Sequence, residues 1–315
     1  MQDVAVGRSL AVRVPASSAN LGPGFDSIGL ALGLWDQVSV TVGGVGLRVE
    51  VSGEGAAEVP YDEGHLVHRA MLTAWDHLGV RAPEGLGLVC HNAIPHARGL
   101  GSSASAIVAG VAVAAGLAEM DLTSAAGLAI VNDVASGIEG HPDNASASVY
   151  GGLTVSWADD VDGSSWRTAS LAVHPDLRPV VLVPDERLST HEARAALPDR
   201  VALADAARNS GRAALLTHAL TAEPALLLPA TRDWLHQEAR RVSYPVTMAM
   251  VDRLRRDGHA ATVSGAGPSV LVLATCDTAA KVVDAARSHA GWRVLEPQIP
   301  STGLRVVSPE MGTGV

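Results

Sequence analysis

A glycine-serine loop that runs straight into an apolar, helix-forming segment constrains this chain more than any other feature. From Ile94 to Gly110 the residues read IPHARGLGSSASAIVAG. Gly99 and Gly101 permit a tight turn and let the backbone approach an anion with no Cβ in the way, while Ser102 and Ser103 add hydroxyls beside the free amides of a helix N-terminus. The segment reads as a phosphate cradle suited to a polyphosphate. A Walker A loop is excluded, because it needs a lysine after its second glycine and Lys281 is the only lysine in the chain. A dinucleotide fingerprint fits poorly too, since two serines stand where further glycine spacing is required. A loop that merely caps a buried helix stays open on this segment alone.

With 315 residues, 47% of them hydrophobic, the chain can bury a sizeable core and is long enough for two domains. A net charge of -10 argues against general binding to nucleic acid or to an anionic membrane and directs attention to small-molecule partners. Cys90 and Cys276 lie far apart in apolar, strand-like surroundings, which suits buried reduced thiols and a cytoplasmic setting. The N-terminal residues show no secretory pattern, and the apolar run from Ala104 to Leu117 is too short to span a bilayer about 30 Å thick, so it is expected to be a buried helix.

Strands are expected at Leu10 to Val14, Gln37 to Val42, Leu47 to Val51 and Leu86 to Cys90, with helices at His65 to Leu78, after the glycine-serine loop, and at Ser124 to Ser136. Tyr150 to Trp157 reads as a strand, and the acidic, Gly/Ser-rich stretch Asp159 to Ser165 as a domain junction. Beyond it, strands at Pro179 to Val183, Ala261 to Ser264 and Ser269 to Ala274 alternate with helices at Asp205 to Ala219, Tyr244 to Asp257 and Thr278 to Ala290. This is an α+β pattern in both halves.

Three further segments carry chemistry. PASSANLGPGFDSIGLAL, Pro15 to Leu32, reads as a turn-rich loop able to aim Asn20 and Asp26 into a cleft. EGHPDNASASVYGG, Glu139 to Gly152, presents two carboxylates and a histidine, His141, of which Asp143 and Glu139 could hold a metal or a substrate hydroxyl, although Asp143 alone would also serve as a helix cap. VSGAGPSVLVL, Val263 to Leu273, reads as a hairpin in which Gly265 and Gly267 allow close backbone approach.

Together these segments resemble the three signatures of the GHMP kinases, the superfamily that includes galactokinase, mevalonate kinase and homoserine kinase, and the resemblance spans most of the chain. PASSANLGPGFD followed by RGLGSSASA and EGHPDN is similar to the homoserine kinase subgroup in particular. The resemblance implies a two-domain α+β GHMP kinase fold, with an N-terminal phosphate-loop domain over residues 1–163 and a ferredoxin-like C-terminal domain over residues 164–315. It implies transfer of the γ-phosphoryl group of ATP to the side-chain hydroxyl of L-homoserine, giving O-phospho-L-homoserine for threonine synthesis, with Mg²⁺ as cofactor and a homodimer as the common assembly. A kinase for another small hydroxylated amino acid, or a silent sensor, are the alternatives.

The same resemblance distributes roles. Pro95, Arg98, Gly99, Leu100, Gly101, Ser102, Ser103 and Ala104 match the ATP-binding stretch, and Ser103 with Glu139, or Asp133 in its place, matches the Mg²⁺ ligands. Asp143 and Asn20 match the catalytic pair, and Asn20, Asp26, His141, Asp143, Asn144 and Gly265 the substrate pocket, with Asp26 suited to the ammonium group. Thr190 and Arg194, one turn apart if helical, and Arg240 match the groups at the substrate carboxylate, where guanidinium forks bind well. Two departures stand out: Ala239 where relatives commonly place an aromatic residue, and His65 where an asparagine lies near the nucleotide base.

Overall fold

Apolar alternation at Leu10 to Val14 and Gln37 to Val42 resolves into one long hairpin that carries much of the site. The computed structural model describes residues 2–159, 165–188, 190–287 and 289–308, and the side chains of residues 2, 190 and 191 also lie outside that description. In chain order come β1 (Gln2–Asp3), β2 (Ser9–Asn20), β3 (Gly24–Val42), β4 (Gly46–Gly53), α1 (Leu66–Leu78), β5 (Val80–Arg81) and β6 (Gly85–Asn92). They are followed by α2 (Ser102–Leu117), α3 (Ala125–Glu139), α4 (Asp143–Tyr150), β7 (Leu153–Ala158) and β8 (Trp166–Leu171). The remainder comprises β9 (Leu177–Pro184), α5 (Thr190–Ala195), α6 (Leu203–Thr221), α7 (Leu227–Ala230), α8 (Pro245–Arg256), β10 (Ala261–Val263), β11 (Val270–Thr275), α9 (Ala279–Arg287), β12 (Trp292–Leu295) and β13 (Arg305–Val307).

The first sheet has seven strands. Its path is β13-β2-β3-β6-β4, with β7 paired to Ile28–Leu30 of β3 and β8 paired to β7. Helices α1 to α3 pack on it around Val14, Val40, Leu88, Trp75, Val108 and Val131. α2 is the buried helix expected of its Ala/Val run: twelve of its sixteen residues are buried, and the indole of Trp75 on α1 donates to the Ala114 carbonyl at 3.0 Å.

The second sheet runs β10-β11-β9-β12 with every neighbouring pair antiparallel, which is the ferredoxin-like strand order. A second apolar cluster contains Ala16, Leu30, Ile94 and Leu100 from the first half and Val181, Leu216, Leu220 and Leu271 from the second. The two halves therefore share a core, and loops at its edge are seated by packing from both sides.

Three sequence expectations change. Pro15 to Leu32 is mostly strand, with only Leu21 to Pro23 in the turn, because the ladder between β2 and β3 continues to Asn20 through two register shifts. Tyr150 closes α4 and does not start β7. Cys90 is buried as expected, but Cys276 is exposed just beyond the end of β11. The expected junction between residues 163 and 164 falls outside the described residues; on either side of it β7 and β8 pair within the first sheet, and β13 returns to that sheet from the end of the chain.

Candidate active site

The phosphate loop is shaped by backbone conformation. Gly99 and Gly101 both adopt left-handed angles, φ 72° and 70°, and Gly101 is the residue that caps α2. A Cβ on Gly99 would press into the Ser264 carbonyl oxygen, and one on Gly101 into the Ser17 hydroxyl, so close packing as well as φ demands glycine at both positions. The loop is laced to its neighbours: Ser17 N donates to Leu100 O at 3.1 Å, and Ser264 Oγ donates to Gly99 O at 2.7 Å. Asn20 Nδ2 donates to Gly265 O at 3.0 Å, while Asn144 Nδ2 donates to Ser17 Oγ at 3.0 Å. The β2–β3 hairpin, the phosphate loop, the start of α4 and the glycine turn between β10 and β11 are thus one hydrogen-bonded unit.

Two carboxylates stand beside it. α3 begins at a true cap, Ser124 accepting from Gly127 N, and runs on to Glu139, whose Oε1 accepts from Ser103 Oγ at 2.7 Å. Burial raises the pKa of Glu139 and the charge of Asp143 adds to this, while the Ser103 hydrogen bond and His141 act in opposition. Asp143, 1% exposed at the start of α4, accepts at Oδ1 from His141 Nδ1 and from Asn144 N, both at 2.8 Å. Its Oδ2 has no hydrogen-bond partner among the described residues. Burial disfavours the charged form of His141, but the hydrogen bond to Asp143 and the charges of Asp143, Glu139 and Asp26 outweigh it and raise its pKa.

The opposite wall is cationic. Asp26, held at φ 52° with its N–H bonded to Asn20 Oδ1 at 3.0 Å, takes a two-pronged ion pair from Arg194 on α5, at 2.9 and 3.0 Å. Arg240, 2% exposed, donates Nε to Ala193 O at 2.9 Å and lies 3.2 Å from His236 Nδ1, and its guanidinium sits over Phe25 at 5.7 Å. Burial lowers the pKa of His236, whose Nε2 donates to Gly22 O at 2.8 Å, so neutral His236 accepts from Arg240. Arg240 has no ion-pair partner among the described residues. One cavity of about 240 Å³ is lined by the phosphate loop, Glu139, Asp143, Asp26, Arg194 and Arg240.

Residues 65–152 match the GHMP kinases N terminal domain, and residues 203–291 match GHMP kinases C terminal. The chain is 52% identical over 300 residues to the homoserine kinase of Rhodococcus erythropolis, covering 93% of this chain and 95% of that one. It is 49% identical over 315 residues to the homoserine kinase of Corynebacterium kroppenstedtii, covering 98% and 99%. This chain belongs to the homoserine kinase family of GHMP kinases. Among solved structures, homoserine kinase from Cytophaga hutchinsonii matches with a TM-score of 0.80 at 26% identity, over 95% of this chain and 97% of that one. A mevalonate kinase with a TM-score of 0.64 at 14% identity, covering 92% and 99%, shares the fold.

Most residues that the GHMP signatures single out come together. Asn20, Asp26, Pro95, Arg98 to Ser103, Glu139, His141, Asp143, Asn144, Arg194, Arg240 and Gly265 all line the cavity. Ala104 does not: the helical turn points it into the protein, where it is fully buried. Asp133 faces away from Ser103, its Oδ1 accepting from Trp166 N at 2.7 Å, which leaves Glu139 as the carboxylate beside the serine. Thr190 opens α5, but its side chain lies outside the described residues. Ala239 lines a separate cavity of about 730 Å³ and not the one holding Arg240. His65 is buried ahead of α1, its Nδ1 has no hydrogen-bond partner among the described residues, and burial lowers its pKa. His236 was missed by sequence reading, although its spacing four residues before Arg240 in LHQEARR was a usable signal. Ala97 and Leu188 also line the cavity and gave no sequence signal.

Proposed function

We propose that this protein transfers the γ-phosphoryl group of ATP to the hydroxyl of L-homoserine, with Asp143 at the acceptor oxygen and the Arg98 to Ser103 stretch around the phosphates. The observation that carries the reading is the single cavity that joins an anion-binding loop to Arg240, a buried guanidinium with no ion-pair partner among the described residues. A buried cation in that state favours an anionic ligand group. An amino-acid carboxylate supplies that group, and Asp26 supplies a partner for the ammonium end.

In this reading the amides of the phosphate loop and the N-terminus of α2 hold the β- and γ-phosphates in place. Asp143 Oδ2 accepts the homoserine hydroxyl, while His141 and the Asn144 amide fix the other oxygen and hence the direction of the carboxylate. A loose transition state demands alignment and charge stabilisation ahead of early deprotonation, so orientation of the hydroxyl is the main service of Asp143. Ser103 and Glu139 fit Mg²⁺: both present hard oxygens 2.7 Å apart, and Glu139 is a half-buried carboxylate with a raised pKa, whose charge a cation would stabilise. When bound, Mg²⁺ neutralises charge on the phosphate oxygens.

The test is ADP release with Mg-ATP against L-homoserine, L-serine, L-threonine, mevalonate and galactose, with the product identified by mass. Turnover confined to L-homoserine is the expected result; preference for another hydroxylated amino acid, or ATP binding without turnover, overturns it. The same reading places the protein in the cytoplasm as a homodimer. Light scattering gives the mass of the assembly in solution. No helix among the described residues is long and apolar enough to cross a membrane.

A further inference from the structure

Arg98 lines the cavity, yet three of its donors point at carbonyls. Nε donates to Pro184 O at 2.9 Å, one terminal nitrogen to Asp185 O at 2.6 Å, and the other to His96 O at 3.3 Å. Pro184 closes β9 in the second half of the molecule, 86 residues further along the chain. The same junction carries a backbone bond, Leu188 N to Ala97 O at 3.3 Å, and an ion pair between Arg187 and Glu58. Arg98 itself has no ion-pair partner among the described residues.

The segment held in this way leads directly into α5. Two residues of that helix are fixed on the acceptor side: Arg194 by Asp26, and the Ala193 carbonyl by Arg240. Contacts therefore join the phosphate loop through Arg98 to residues 184–188, and α5 to Asp26 and Arg240, with the two groups linked along the chain.

We propose that Arg98 is a positioning residue that clamps the phosphate loop to the segment carrying Arg194, so that nucleotide binding and acceptor binding reinforce one another. A ligand that orders the Arg98 to Ser103 loop also orders the carbonyls to which Arg98 is bound. The second ligand then meets a segment whose ordering has already been offset, and the coupling is reciprocal. The planar fork of arginine reaches three carbonyls at once, which a lysine ammonium on a flexible stem does not reproduce. This inference rests on the homoserine kinase reading for the identity of the acceptor.

The experiment compares the full-length protein with Arg98→Lys and Arg98→Met, using a non-hydrolysable ATP analogue with Mg²⁺ and L-homoserine in calorimetric titrations. In the unaltered protein the analogue is expected to tighten L-homoserine binding by about 5-fold or more. In both variants that ratio falls towards one, whatever change either variant makes to the affinity for each ligand alone. A ratio near one in the unaltered protein, or a preserved ratio in the variants, overturns the proposal. So does a ratio that Arg98→Lys keeps and Arg98→Met loses, because charge alone then suffices and the fork to three carbonyls is not what couples the two sites. Hydrogen exchange supplies an arm independent of the acceptor: the analogue alone protects residues 184–195 in the unaltered protein and not in Arg98→Lys. If L-homoserine fails to bind while that protection is seen, the substrate reading fails and the clamp stands; without the protection, the clamp fails.

Discussion

At the end of the cavity proposed for the phosphates the lining groups come from consecutive residues, Arg98 to Ser103, and owe their positions to backbone angles and to packing against Ser17 and Ser264. At the end proposed for the acceptor Asp26 and Arg194 meet across 168 residues of sequence, and Arg240 comes from a third segment. The first end is a conformation, intolerant of a single Cβ. The second is a set of charges, partly exposed, which substitution can alter one at a time while the phosphate loop stays in place. Asp143 stands apart from both contrasts, because the His141 ring and the Asn144 amide beside it in sequence fix one oxygen, while the other is the group proposed for the acceptor.

Disrupting the group at the junction should have the largest effect. Asp143→Asn keeps an acceptor for the Asn144 amide but weakens the group at the hydroxyl, and kcat is expected to fall about 10²–10⁴-fold in steady-state assays with both KM values little changed. Next comes the conformational end. Gly99→Ala forces a Cβ against the Ser264 carbonyl, and a loop displaced by even 1 Å is expected to lower kcat/KM for ATP by roughly 10²-fold while the KM for L-homoserine stays near its original value.

At the charged end, Arg240→Met removes a buried guanidinium. The KM for L-homoserine is expected to rise about 10–100-fold, in line with roughly 1.5–3 kcal/mol for a charged hydrogen bond. Arg194→Gln, at a pair that is 42% and 32% exposed, should raise it by no more than about 10-fold. Equal effects of Arg240→Met on ATP and L-homoserine would break the division between the two ends.

The smallest effect concerns the support behind the phosphate loop. Asp36 on β3 is buried and accepts at Oδ1 from Ala93 N at 2.7 Å and Ile94 N at 3.0 Å, where the chain enters the loop. Burial pushes its pKa up to about 7 against those two hydrogen bonds, and the charge of Glu54 adds to the rise. Between the ordinary carboxylate value of 3.8 and about 7 the folded state holds the extra proton, so this group makes stability fall as pH rises through that window. Urea unfolding at pH 5 and pH 8 should show the unaltered protein losing roughly 2–3 kcal/mol more than Asp36→Asn over that range. Parallel pH profiles would remove Asp36 from the account of the loop.

Legibility in the sequence follows the same division. GLGSS and the Ala/Val run of α2 were readable because glycine freedom, a helix N-terminus and burial are local properties, and HPDN was readable because His141, Asp143 and Asn144 contact one another within four residues. The long hairpin was obscured, because the Pro, Ser, Gly and Asn residues of Pro15 to Leu32 favour turns by propensity while the ladder from β2 to β3 and the shared core hold them extended. Ala104 was misplaced, and the choice between Glu139 and Asp133 stayed open, for a rotational reason: helical phase relative to the core, and not motif spacing, decides which way each side chain points.

By itself, then, the sequence determined the α+β class, the phosphate loop, and the identity of nearly all the residues that line the cavity. Only the tertiary structure decided that Glu139 faces Ser103 and Asp133 does not, that neutral His236 accepts from the charged Arg240, and that Arg98 bonds across to β9. Each of those outcomes depends on the distance between segments remote in sequence and on which donors burial leaves without water, and a linear order of residues specifies neither until the chain has packed.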